Sequence, residues 1–400
     1  MQRDRDILAD TLRGYALIAI LWNHLAKTAI DAGFPGARSI TLTQLGLSSA
    51  AELFVFLSGY VYAIAYGRTW DRRGAMAAIG KTARRIGDLL TTNALLLVLC
   101  SLAVAMLFSR LPRPGPEIAV FLHFAENPWP PPWRFLLMVR GDSYVGILHL
   151  YGTLLLAAPL LLWALRRNVW VAAGLAVAPW IAVQFGYLDQ ALTGQAPYEF
   201  NRAAWLLLFF IGMFAGQQRL LRRWPGAWAM WLLGAFLLAT TVWKLGSPTG
   251  ARMILGGEAN AVFPPVPWRD KNDMGLLRLA HALALIAFLS GLWHHLPALP
   301  RAPIDGVLGW FGRQSLTVYA ASCVAIYLLA ALPTVAWPGS RPAWFAAYLL
   351  APALVALMTW MWTAGPGRYL EGWLRPGQPR PRDGAYAPSR DDHVARARPR

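Results

Sequence analysis

Apolar stretches about twenty residues long recur along the whole of this 400-residue chain. That is about the length a helix needs to cross a hydrocarbon core. Inside such a core every backbone N–H and C=O must be satisfied within the protein, which leaves helices as the simplest way to cross. The chain is therefore expected to be all-α, a polytopic integral membrane protein with about ten transmembrane helices. The expected spans are 10–30, 46–66, 87–109, 146–165, 168–187, 203–218, 226–243, 275–297, 314–334 and 342–364. Only 14% of residues are charged, against about a quarter in soluble domains, so a soluble domain with a single anchor is excluded. The first segment has the look of a signal peptide, with Arg3 and Arg5 before it. It is read as a mature helix because it is long, contains Arg13 and His24, and is followed by further spans.

The net charge of +17 is unevenly placed. Arg68, Arg72, Arg73, Lys81, Arg84 and Arg85 fall between spans two and three, Arg166 and Arg167 between four and five, and Arg219, Arg222 and Arg223 between six and seven. The intervening connections are poorer in charge for their length. The positive-inside rule then puts both termini in the cytoplasm. Because the excess charge flanks membrane spans, nucleic acid is not an expected partner, whereas membrane lipid is. Residues 1–364 are expected to form the membrane domain. Residues 365–400, rich in Arg, Pro and Gly, are expected to form a disordered cytoplasmic tail. The long connections 110–145 and 244–274 are either lids or covers of helix ends. Cys100 and Cys323 both fall inside spans and are expected to be buried thiols.

Polar groups inside apolar spans are costly unless they face protein or water, so each is a candidate site. Arg13 and His24 share the first span. At about 1.5 Å per residue they lie roughly 16 Å apart along the axis, one toward each membrane face. With the expected topology the outer half collects His24, Glu52, His149, Arg278 and His281. The inner half collects Arg13, Tyr66, Arg84, Arg85, Asp88 and Arg313. Glu199, Asn201 and Arg202 stand just before span six. Each has a plainer reading. Glu52 with Arg202 or Arg278 makes a structural ion pair, a lone intramembrane His satisfies the core, and Arg84 and Arg85 enforce topology. His294 and His295 suit an interface, and Ser58-Gly59 suits close helix packing. Motifs for zinc proteases, nucleotide-binding loops and soluble serine hydrolases are absent, and no metal is expected.

Arg13 and His24, with ten residues between them, resemble the signature of membrane acyltransferase family 3. More closely, the chain resembles the OpgC family, whose type member succinylates osmoregulated periplasmic glucans. The similar blocks are Leu12-Arg-Gly through Asn23-His24, Ser49-Ala-Ala-Glu-Leu-Phe-Val-Phe-Leu-Ser-Gly-Tyr60, Leu150-Tyr-Gly, Phe200-Asn-Arg-Ala-Ala-Trp205, Asp270-Lys271 with Leu277-Arg-Leu-Ala-His281, and Phe311-Gly-Arg-Gln-Ser-Leu316. Two departures lie near His24. Ser49 stands where relatives often place an acid, and Leu25-Ala-Lys-Thr28 replaces a Pro-Gly-Asn turn.

The resemblance implies a multi-pass protein of the bacterial inner membrane. It would move an acyl group, succinyl or acetyl, from cytoplasmic acyl-CoA to a hydroxyl of a periplasmic or cell-envelope glycan. Acyl-CoA is then the donor substrate, and no cofactor is permanently bound. In this scheme Arg13, Arg84, Arg85 and Arg313 meet the CoA phosphates, and His24 is the general base. Glu52 orients the imidazole or stabilises its cation, Arg278 or His281 stabilises the oxyanion, and His149 adds to the substrate site. An acyl-histidine intermediate is the mechanistic variant. The alternative reading is a transporter or exporter of a glycan or small polar substrate, using the same buried charges as a path. A structural or sensory membrane protein is a third.

Overall fold

The computed structural model describes residues 6–39, 41, 46–111, 115, 118–122, 146–187, 200–222, 226–248 and 262–364. These are 83% helical and contain no strand, so the protein is all-α. The helices are α1 Ile7–Asp31, α2 Ala50–Arg73, α3 Ala75–Phe108, α4 Gly146–Arg167, α5 Val169–Gln184, α6 Arg202–Gln217, α7 Ala227–Gly246, α8 Leu276–His295, α9 Ala298–Arg313, α10 Ser315–Ala331 and α11 Arg341–Thr363. Residues 1–356 form one compact unit. In the second, 357–400, the described residues are the last turns of α11 and Ala364. Glu199, the stretch 128–133 and the tail from residue 365 lie outside the described residues.

Each expected span falls on a helix. Seven helices (α2, α3, α4, α7, α8, α10 and α11) are long and apolar enough to cross a membrane, while α5 and α6 are apolar but shorter. α1 has 25 residues and carries Asp10, Arg13 and Lys27 within them. α3 begins at Ala75 and runs for 34 residues, about 51 Å at the usual rise. Its first turns, with Lys81, Arg84 and Arg85, therefore extend past the expected start at residue 87. The corner before it is Gly74, whose φ of 83° suits glycine. α9 falls between the expected spans 275–297 and 314–334, where Pro297, Pro300 and Pro303 and the glycines at 306, 309 and 312 weaken the helical signal.

Glycines set the closest packing. A Cβ on Gly59 of α2 would collide with the Phe209 carbonyl of α6, and Cβ atoms on Gly212 and Gly216 would collide with the Phe56 and Tyr60 carbonyls. The Ser58-Gly59 pair is thus a packing point, with Ser58 Oγ donating to the Phe54 carbonyl at 2.7 Å. α9 meets α1 in the same way, through Gly14 against Leu308 and Gly312 against Asp10. Small residues at such crossings let backbones approach where lipid gives helices no hydrophobic reason to associate. The apolar stretch of α2 is 78% buried and that of α7 only 6%, so α2 is central and α7 peripheral. Cys100 and Cys323 are buried free thiols.

Contacts sort the connections of α1 to α8 into two groups, as alternating spans require. In the first, Asp6 accepts from Tyr60 Oη at 2.6 Å and lies 3.5 Å from Arg222 Nε. Arg166 bonds Asp71 at 2.6 Å, and His294 Nε2 lies 2.9 Å from the Leu221 carbonyl. In the second, Lys244 Nζ donates to the Gly46 carbonyl at 2.6 Å, Gln184 to the Asp273 carbonyl at 2.7 Å, and Gly115 N to the Asp31 carbonyl at 3.0 Å.

Candidate active site

His24 opens on a cavity of about 390 Å³. α1 contributes Ile20, Asn23 and Lys27, and the start of α2 contributes Ser49, Ala50 and Ala51. The helix repeat explains the first set, because positions three apart share a face. Arg38, Ile147, Phe200 and Lys271 close the cavity from other segments. Asn23 Oδ1 accepts from Ser39 Oγ at 2.9 Å and from Thr41 Oγ1 at 3.0 Å, which ties the chain after α1 over the pocket. Lys271 Nζ stands 4.7 Å above the Phe200 ring. Three cations thus line the pocket, and none of its described lining residues is acidic. None of Lys27, Arg38 and Lys271 is among the site residues expected from sequence, although Lys271 falls in a family-like block and Lys27 in the departure that follows His24. Lys27 carried a signal, being one helical turn from His24. Arg38 carried none.

Glu52 is 1% exposed and has a different neighbourhood. One carboxylate oxygen accepts from the Ser49 backbone at 2.7 Å and from the Ser49 hydroxyl, closing the N-terminus of α2. The other accepts from Arg278 Nε of α8. Of the two ion-pair partners read from sequence, Arg278 holds Glu52. His281, one turn further along α8, has Nδ1 2.8 Å from Ser48 Oγ and 3.3 Å from Ser48 N. Gly46 lies against the same ring, where a Cβ would meet Cε1 at 2.6 Å. Glu52, Arg278 and His281 therefore hold the segment Gly46–Ser49, whose last residue, Ser49, lines the pocket at His24. Both Glu52 oxygens are engaged in that support. His149 is also buried, and its Nε2 lies 3.2 Å from Asn93 Oδ1, joining α4 to α3.

The expected inner cations divide. Arg13 is 9% exposed. Its Nη2 donates to Ser315 Oγ at 2.9 Å, and its guanidinium lies 5.8 Å from the Phe54 ring centroid. Arg85 lines a second cavity with Phe54, Tyr151 and Ser315. That cavity is only about 10 Å³, room for one water at most. Arg84 and Arg313 are exposed. Arg13 and His24 lie on one uninterrupted helix. Eleven steps of about 100° return to within about 20° of the starting direction, so both project from one face of α1.

A family model described as OpgC protein matches residues 5–365. The chain belongs to the OpgC family. The match spans every described helix, α1 to α11, so the pocket at His24 and the segment that Glu52 and Arg278 support both lie within OpgC sequence. Membership makes this protein a membrane acyltransferase of the glucan-modifying kind. No curated protein and no solved structure matches it.

Proposed function

We propose that this OpgC protein takes an acyl group from acyl-CoA on the cytoplasmic side and transfers it to a hydroxyl of an extracytoplasmic glucan. His24 is the general base. The observation that carries this reading is the pocket at His24: an imidazole among three cations, on the same helix face as buried Arg13. Sugars offer hydroxyls, and an imidazole that titrates near neutrality in water suits a base that must accept their protons. The hydroxyl oxygen attacks the thioester carbonyl carbon as His24 takes the hydroxyl proton. A C–O bond forms, the C–S bond breaks, and the thiolate of CoA leaves and is protonated. Lys27, Arg38 and Lys271 favour a negative substrate group, so succinyl, with its free carboxylate, fits better than acetyl.

On this reading both termini are cytoplasmic and the membrane is the bacterial inner membrane. The basic end with Arg84, Arg85 and Arg313 then faces the phosphates of CoA. Glu52, Arg278 and His281 act by holding Gly46–Ser49 in place. The test uses purified protein in detergent with isotope-labelled succinyl-CoA, acetyl-CoA and an oligoglucoside acceptor, with the product read by mass spectrometry. Label in the glucan, succinyl above acetyl, is the expected outcome. Transport of unmodified glucan by reconstituted protein, with no labelled product, would replace transfer by export.

A further inference from the structure

Ile147, in the first turn of α4, is 5% exposed. It alone among the described residues lines both cavities, the open one at His24 and the nearly closed one at Arg85. The two cavities follow the same pair of helices. Ala50 and Ala51 line the first, and Phe54, one turn further along α2, lines the second. Arg13 stands behind the second cavity, bonded to its lining residue Ser315 and stacked over Phe54. Phe54 in turn meets the Tyr151 ring edge-on, with centroids 6.2 Å apart. A cation therefore marks the inner end of this seam, aromatic rings form its sides, and Ile147 separates it from His24.

We propose that the small cavity is the closed passage of the acyl-thioester arm, and that Ile147 is the partition at its end that selects the acyl group by size. The inference rests on the acyl-transfer reading above. A thioester arriving from the side of Arg85 leads with its acyl group and brings its carbonyl carbon level with Ile147, where a hydroxyl activated by His24 meets it. The acyl carbons beyond that carbonyl then lie against this side chain. Isoleucine is branched at Cβ and stiff about χ1, so it makes a fixed wall rather than one that yields to a longer chain.

The experiment is a competition in detergent between succinyl-CoA and adipoyl-CoA, which is two methylenes longer, with an oligoglucoside acceptor. Wild type should favour succinyl. Ile147→Ala should move the product ratio toward adipoyl by about tenfold or more, since one methylene in an apolar site discriminates by about 10–200-fold. Ile147→Val should move it the same way by less, which keeps the test open if the alanine variant does not fold. Ile147→Trp should elute as homogeneous protein and transfer neither group. An unchanged ratio in active, homogeneous Ile147→Ala and Ile147→Val proteins overturns the partition and leaves acyl transfer standing. If wild type labels no glucan from either donor, the acyl-transfer reading fails first and the partition with it.

Discussion

Arg278 on α8 bonds the carboxylate of Glu52 on α2, and the two residues are 226 positions apart in the chain. The same carboxylate accepts from Ser49, whose side chain lines the His24 pocket. One buried ion pair thus supports the start of α2 and one wall of the pocket. Removing a single partner of such a pair leaves an uncompensated charge, which costs about 3–5 kcal/mol. Arg278→Ala should therefore unfold well below wild type in a thermal melt of purified protein. The double variant Glu52→Gln/Arg278→Met should recover much of the loss. Equal melting of Arg278→Ala and wild type would remove the pair from the supporting structure.

His24→Ala should insert and purify as a homogeneous species, yet lose transfer by about 10²–10⁴-fold, the usual contribution of a positioned base. His24→Gln keeps polarity but cannot take the proton, and should be nearly as damaging. His294→Ala and His295→Ala should stay active, because their ring nitrogens bond the carbonyls of Leu221 and Gly291 at the far end of α8. Turnover near wild type in homogeneous His24→Ala protein would end the general-base assignment.

Arg13→Ala removes the bond to Ser315 and the cation over Phe54. If Arg13 also meets a CoA phosphate, as the family likeness implies, the loss of one charge-assisted bond of about 1.5–3 kcal/mol should raise the KM for acyl-CoA by about 10-fold or more. Acceptor KM should change little. Unchanged donor kinetics in folded protein would reduce Arg13 to a packing role between α1 and α10.

The glycines give an internally controlled test. Gly212→Val forces a side chain into the Phe56 carbonyl of α2, and Gly312→Val forces one into the Asp10 carbonyl of α1. Both should abolish recovery of folded protein. Gly87 sits in α3 with open space around it. Gly87→Ala should be neutral or stabilising by up to about 1 kcal/mol, the helix-propensity difference. Recovery and melting temperature in one detergent distinguish the two classes, and normal yields of Gly212→Val would refute the backbone contact between α2 and α6.

Much of this OpgC protein is written locally. Hydropathy belongs to neighbouring residues, so each of the ten apolar stretches could be matched to a helix, and basic clusters could mark alternate connections. The eleven-residue step from Arg13 to His24 fixes one helix face by backbone geometry alone. What the sequence left open were encounters between distant residues. Glu52 had two candidate arginines, and only the packing of α8 on α2 gave it Arg278 rather than Arg202. The substrate assignment of His149 and His281 rests on depth and family likeness, and depth does not say which protein neighbour a ring meets. The structure turns them to Asn93 and Ser48. Lys271 and Arg38 reach the His24 pocket from separate connections, and nothing local to either predicts that meeting. α9 was hidden because its prolines and glycines argue against a helix until α1 is present to pack against. Local pattern determines which segments can be helices. Tertiary packing, set by glycine contacts hundreds of residues apart in sequence, decides which side chains share a site.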